Sequence, residues 1–262
     1  MYKFCVLYSG STGNATYIGT KKEGILIDAG KNAKQLCLAL SNCGIKPEAV
    51  KAVFLTHEHI DHIGAIRVFC NRFNIPVYAS LNTLEVLDFN GHLNGDFDVF
   101  QMQGLADIGD FHIESFHTMH DVTESFGFNV FLPNGIKTSV ITDLGVVTEE
   151  VEEAILESKV ILLESNHDES MLLTGPYPYS LKRRIMSERG HLSNDAAAEI
   201  AVKLIKSGTE HIILGHLSAE NNFPSLAYAT TKEKLTLFDA VENEDYTLTI
   251  ASRHEQREIE IS

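Results

Sequence analysis

Apolar residues enter this chain in short alternating runs. KFCVLYS, TYIGT and GILIDA, between Lys3 and Ala29, read as three strands broken by the Gly-rich turn SGSTGN at residues 9–14. From Asn32 the spacing becomes helical in NAKQLCLALSNCG and stops at Gly44, a residue suited to a helix end. AVKAVFLT is strand-like again, IGAIRVFCNRF helical, PVYAS a strand and LNTLEVLDF a short helix. Between Asp110 and Leu144, the runs FHIESFHT, FGFNVFL and KTSVITD alternate around the turn PNG at Pro133 to Gly135, as in an antiparallel meander. The last third predicts helix TEEVEEAILES, strand KVILLES, helix SNDAAAEIAVKLIKSG with Ser193 as N-cap, and strand HIILG. The expected architecture is α/β: two sheets with helices outside, a four-layered αββα sandwich. A single domain over residues 1–262 is expected, because no repeat, low-complexity tract or Pro/Gly linker divides the chain.

Composition narrows the class. With 44% apolar residues a substantial core can form. No run of 18 apolar residues is present, and MYKFCVLYSG lacks the charged and apolar regions of a leader, so a cytoplasmic protein without membrane partners is expected. Cys5, Cys37, Cys43 and Cys70 form no CxxC pair and read as reduced, buried thiols. The net charge of −15 argues against a broad basic nucleic-acid surface, so a polyanionic substrate must be attracted locally.

One segment demands a chemical explanation. THEHIDHIG, residues 56–64, crowds His57, His59, Asp61 and His62 at the end of a predicted strand. Residues two apart on an extended segment point the same way, so His57 and His59 can share an ion while Asp61 and His62, beyond the bend, reach a second. Imidazole and carboxylate together suit zinc, manganese or iron. A dinuclear site needs further ligands, and His120, Asp143 and His216 each follow an apolar run at a strand-to-loop junction. Each alone is an ordinary loop residue; their order after HxHxDH suggests a ligand set.

HxHxDH followed by a His, an Asp and a His on this architecture resembles the metallo-β-lactamase superfamily. More narrowly, SGSTGN, LIDAG, LTHEHIDHIG, ITDLG, LLESNHD, YPYSLKRRI, GHLSN and LGHLSAENN resemble the YycJ/WalJ group of small metallo-hydrolases. The resemblance implies that His57, His59 and His120 hold one divalent ion, that Asp61, His62 and His216 hold another, and that Asp143 bridges them. It also implies phosphodiester hydrolysis, including 5′ to 3′ exonuclease action, with nucleic acid as substrate and DNA preferred over RNA.

The chemistry agrees with a hydrolase of that kind. Two divalent ions about 3.5 to 4 Å apart can share a water, lower its pKa toward about 7 and stabilise both oxygens of a displacement. Asp61 is thus expected to be catalytic as well as a ligand. His191, in GHLSN, is the expected general acid for a leaving alkoxide, with Ser193 opening a helix whose N–H groups suit a phosphate. Lys182 and Arg183, within the run KRR, are either a solvated helix face or a phosphate track. Ser11, Asn14, Asn166 and His167 are expected substrate contacts, and Asp28 is expected to orient a metal-binding histidine. A β-lactamase would often lack the bridging Asp, and a β-CASP nuclease would need an inserted domain for which the interval from Asp143 to His216 is too short. A glyoxalase-like thioesterase and a non-catalytic metal-binding regulator remain the alternatives; an oligomer is compatible with either.

Overall fold

Strand alternation here buries side chains on both faces of each sheet. The computed structural model describes residues 1–262, in two seven-stranded sheets. The first comprises β1 (Tyr2–Tyr8), β2 (Ala15–Gly19), β3 (Gly24–Ile27), β4 (Val50–Phe54), β5 (Val77–Ala79), β6 (Val99–Gln101) and, at its edge, the C-terminal β14 (Arg257–Ile261). The second comprises β7 (Leu105–Ile108), β8 (Phe111–Thr118), β9 (Ser125–Phe131), β10 (Lys137–Ile141), β11 (Val160–Glu164), β12 (His211–Gly215) and β13 (Thr247–Ile250). Spatial order is β14-β1-β2-β3-β4-β5-β6 in one and β13-β12-β11-β10-β9-β8-β7 in the other.

Phe4, Val6, Ile18, Ile25, Ile27 and Phe54 point from the first sheet into an inter-sheet core, where they meet Ile113, Phe128, Val130, Val140, Val160, Leu162 and Ile213 from the second. The intervening residues of the same strands, such as Cys5, Leu7, Leu26 and Val53, face outward and are covered by α1 (Ala33–Asn42) and α3 (Ile66–Phe73). On the far side, α5 (Glu149–Ile155), α8 (Asn194–Lys206) and α9 (Pro224–Leu237) cover Ile141, Ile161, Leu163, Ile212 and Leu214. That is the four-layered αββα sandwich that the pattern predicts. Shorter helices α2 (Ile60–Ile63), α4 (Leu81–Phe89), α6 (Glu169–Thr174) and α7 (Tyr179–Ile185) sit in the connections. No helix is long and apolar enough to cross a membrane.

Each sheet is half antiparallel and half parallel: β3 through β6 run parallel, as do β10 through β13. The carboxyl ends of β3, β4, β10, β11 and β12 therefore open toward one edge of the sandwich. Crevices beyond the carboxyl ends of parallel strands are where such sheets place ligands.

Candidate metal centre

Every expected metal ligand follows one of those strand ends or the end of β8. His57 lies three residues past β4, Asp143 two past β10, His120 two past β8, and His216 directly after β12, while His59 caps the N-terminus of α2 and Asp61 and His62 lie within it. The structure brings ligand atoms of all seven side chains into one centre. His57, His59 and His120 form one close group, Asp61, His62 and His216 another, and Asp143 joins His57 and His62 in a third. Asp143 reaches both sides: its Oδ2 lies 3.2 Å from His62 Nε2, and its Oδ1 lies 3.4 Å from His216 Nδ1 and 3.9 Å from His120 Nε2.

Backbone conformation helps to gather these groups. Asp28, Asp143 and His216 have φ of 61°, 61° and 54°, the left-handed region that L-residues enter at a cost of order 1 to 3 kcal/mol. All three are buried where a strand turns sharply at the centre, so surrounding structure maintains the strain.

Acceptors behind the ring orient the histidines. His62 Nδ1 lies 2.7 Å from Asp28 Oδ2, and Thr56 Oγ1, which donates to the same carboxylate, lies 2.9 Å from His57 Nδ1. His120 Nδ1 faces the Gly190 carbonyl at 3.2 Å, and His216 Nδ1 faces Glu164 Oε1 at 2.9 Å. Acceptors at Nδ1 fix that nitrogen as the N–H and leave Nε2 as the lone-pair donor toward the centre. His59 is turned the other way, with Nδ1 3.0 Å from His57 Nε2.

The donor set fits divalent cations. Asp143 Oδ2, His216 Nε2 and Asp121 Oδ1 are buried at this centre without a hydrogen-bond partner. Buried polar atoms normally find partners, so three orphans aimed at one place, amid imidazole and carboxylate, are the donors a cation would satisfy. Protonation behaviour points the same way. Burial opposes a charge on His57 and holds it well below the usual imidazole range. Burial opposes a charge on His62 too, but the Asp28 and Asp143 carboxylates outweigh it and raise that imidazole, so an ion bound there would displace a proton.

Glu164, at the end of β11, is the site residue that sequence reasoning overlooked. It is fully buried, and its Oε1 accepts from His191 Nδ1 at 2.8 Å as well as from His216. Leu144 N donates to its Oε2. Burial would raise this carboxyl, yet the His191 and His216 imidazoles bring it down to about 2. Conversely, burial disfavours the His191 imidazolium, but Glu164 raises it to about 9. The signal lay in LLES, a carboxylate ending an apolar strand; nothing local announces that it faces two histidines from other strands.

His191 and His216 line a cavity of about 270 Å³ with Ser11, Asn166, Tyr177 and Arg184. Of the expected substrate contacts, Ser11 and Asn166 thus lie on the cavity wall, although the Asn166 amide also donates to the His216 carbonyl. Asn14 has a different setting: it is buried, with its amide 3.2 Å from Asp61 Oδ2 and 2.9 Å from His62 Nε2, and its carbonyl accepts from Gly10 N. It ties the SGSTGN turn to the ligand loop. His167 is buried with Nδ1 unpartnered, and burial lowers it to about 4. Ser193 caps α8 by accepting from Ala196 N. Lys182 donates to the Leu173 and Gly175 carbonyls, and Arg184 pairs with Asp121, so only Arg183 of that basic run is free.

A two-sheet αββα sandwich whose strand ends gather histidine and aspartate around one centre defines a metal-dependent hydrolase. Residues 8–216 match the family described as the Metallo-beta-lactamase superfamily, and the chain belongs to it. It is 37% identical over 237 residues to Exodeoxyribonuclease YycJ of Bacillus anthracis, spanning 88% of each chain. It is 35% identical over 243 residues to Exodeoxyribonuclease WalJ of Streptococcus pneumoniae, spanning 91% of this chain and 90% of that one. Among solved structures, the metallo-beta-lactamase fold protein YhfI of Bacillus subtilis aligns over 98% of this chain and 99% of its own, with a TM-score of 0.71 and 18% identity. A diphosphatase of the PhnP family aligns over 100% and 98%, with a TM-score of 0.70 and 16% identity. At such identities the structural likeness is one of fold.

Proposed function

We propose that this protein is a phosphodiesterase acting on nucleic acid, a 5′ to 3′ exodeoxyribonuclease in its natural reaction. The observation that carries the reading is the convergence of two ligand groups on the shared Asp143, directly beside a cavity on which His191 stands. Similarity to relatives named exodeoxyribonucleases over most of the chain supports DNA as the substrate.

In this reading His57, His59 and His120 hold one divalent ion, Asp61, His62 and His216 hold the other, and Asp143 serves both; zinc or manganese suits this donor set, and iron is the third choice. When bound, a pair of such ions supplies an activated water and charge stabilisation for the attacked phosphate. The remaining work falls to the chain. Asp28 and Thr56 keep His62 and His57 in the tautomers that present Nε2 to the centre. Glu164 accepts from Nδ1–H of His191 and raises that ring to about 9, so it stands as an imidazolium whose Nε2–H can be given to an alkoxide leaving group in the cavity. Ser11 and Asn166 are positioned to orient the substrate along the cavity wall.

The test is to load the full chain with zinc or manganese and incubate it with end-labelled single- and double-stranded DNA and RNA. A ladder shortening from the 5′ end of DNA is the expected result. Hydrolysis of a thioester such as a glutathione ester without hydrolysis of any nucleic acid would replace this reading by the glyoxalase-like one. Binding of metal without turnover on either substrate would favour a regulatory module.

A further inference from the structure

A second cavity, of about 460 Å³, adjoins the first and belongs to none of the assignments above. Leu217, Ser218 and Ala219 line both, so the two are separated only by the ridge that directly follows His216. Phe223, Arg253, His254 and Arg257 form the rest of its wall that matters here. Arg253 donates to the Leu217 carbonyl, which fixes this cation one residue from the centre. Lys31 is close by across the SGSTGN turn: its amine donates to Thr12 Oγ1, its stem packs over Gly13, and the Arg253 side chain packs over Gly10.

Charge makes the grouping informative. The chain carries a net −15, and the Lys and Arg side chains that form ion pairs are Lys3, Lys159, Arg184, Lys203, Lys232 and Lys234. Lys31, Arg253 and Arg257 have no carboxylate within ion-pairing distance, as is true of most of the 21 cations; what sets them apart is that Arg253 and Arg257 line one groove with Lys31 beside Arg253. Beside them Phe223 is 57% exposed, a large aromatic ring presented to solvent at the groove's edge. Cations along a groove with an aromatic ring on its rim are the composition of a single-strand nucleic-acid track, in which phosphates meet the cations and an unpaired base stacks on the ring. A base inside a duplex has both faces covered by its neighbours and offers none for such stacking.

We infer that this groove carries the part of a single-stranded nucleic acid that lies beyond the Leu217–Ala219 ridge from the scissile bond, with Arg253 and Arg257 on its phosphates and Phe223 stacked on a base. The inference rests on the nuclease reading and extends it from the reacting bond to the body of the strand. It also places a phosphate track apart from the Lys182 run: Arg257 is exposed without an ion pair, and Arg253 keeps its carbonyl contact beside the groove, whereas Arg184 of that run is neutralised by Asp121.

The test compares Arg257→Ala and Phe223→Ala with the unaltered, metal-loaded chain on three substrates: bis(p-nitrophenyl) phosphate, a dinucleotide, and a strand of about 20 nucleotides. In each variant, KM for the long strand should rise about fivefold or more relative to KM for the dinucleotide, with kcat on the long strand little altered. For Arg257→Ala, the fall of log(kcat/KM) with log salt should become shallower by about 0.7. Both side chains are exposed, and melting curves identify a variant that fails to fold, in which case the other decides. An unchanged long-to-short KM ratio in the folded variants overturns the groove. If the unaltered chain hydrolyses the nitrophenyl ester but neither oligonucleotide, the nuclease reading fails and the groove falls with it; if it hydrolyses both with equal KM, the groove alone falls.

Discussion

At the scale of single residues, the centre is governed by what stands behind the ligands. Asp28 is buried against His62 Nδ1 and accepts from both the backbone N–H and hydroxyl of Thr56, so one carboxylate sets two imidazoles. Asp28→Asn keeps the shape but replaces an acceptor-only group with one that can present N–H to the ring. Metal affinity should fall by about 10- to 100-fold, read by competition with a chromophoric chelator; unaltered affinity would show that Asp28 does not set the His62 tautomer. His191 offers a test of a different kind, because its role depends on the leaving group. His191→Ala should slow DNA hydrolysis by about 10² or more and spare a nitrophenolate ester, which departs without a proton. Equal losses on the two substrates would remove His191 as general acid.

At the scale of elements, the legibility of the chain followed the strength of local pattern. The strand before HxHxDH was readable as a short apolar run buried on both faces, the first strand of the meander by its alternation, and the helix opened by Ser193 by its capped start and apolar face. β6 and β7, three and four residues long with exposed positions, carry too little burial to leave a pattern, and β14 becomes a strand only by pairing with β1 from the other end of the chain. Likewise, the residues that converge on the centre could be named from their positions after apolar runs, whereas Glu164 and the left-handed backbones of Asp28, Asp143 and His216 are products of packing between distant segments. Gly30 shows how tightly those segments meet. A Cβ there would lie 2.0 Å from the Asp61 carbonyl and 2.5 Å from Asn14 N, both backbone atoms that have no rotamer to escape into. Gly30→Ala should therefore push the α2 loop off the end of β3 and cost about 2 kcal/mol or more. The measurement is metal stoichiometry together with chemical denaturation; full occupancy of two ions at unchanged stability would refute the close approach.

At the scale of the whole molecule, the proposed ligands come from both sheets. His57, His59, Asp61 and His62 extend from the first; His120, Asp143 and His216 extend from the second. Ions gripped at this seam would tie the two halves of the sandwich at one edge, whereas the inter-sheet core already joins them along its length. Without the ions, the buried carboxylates of the seam, Asp28, Asp143 and Glu164, still face the imidazoles of His62, His191 and His216, so the metal-free seam lacks only what the ions themselves add. Binding to the folded state alone adds about 2.7 kcal/mol for each site held at 100 times its Kd. For a chain of this size each kcal/mol moves Tm by roughly 2 to 4 °C, so two filled sites correspond to about 10 °C or more. Removing metal with a chelator should thus lower Tm by at least that amount while calorimetry still records a single transition, because both sheets share one core. Two separated transitions in the metal-free chain would show instead that the sheets melt as independent units, and an unmoved Tm after verified metal loss would mean that the seam is held by packing alone.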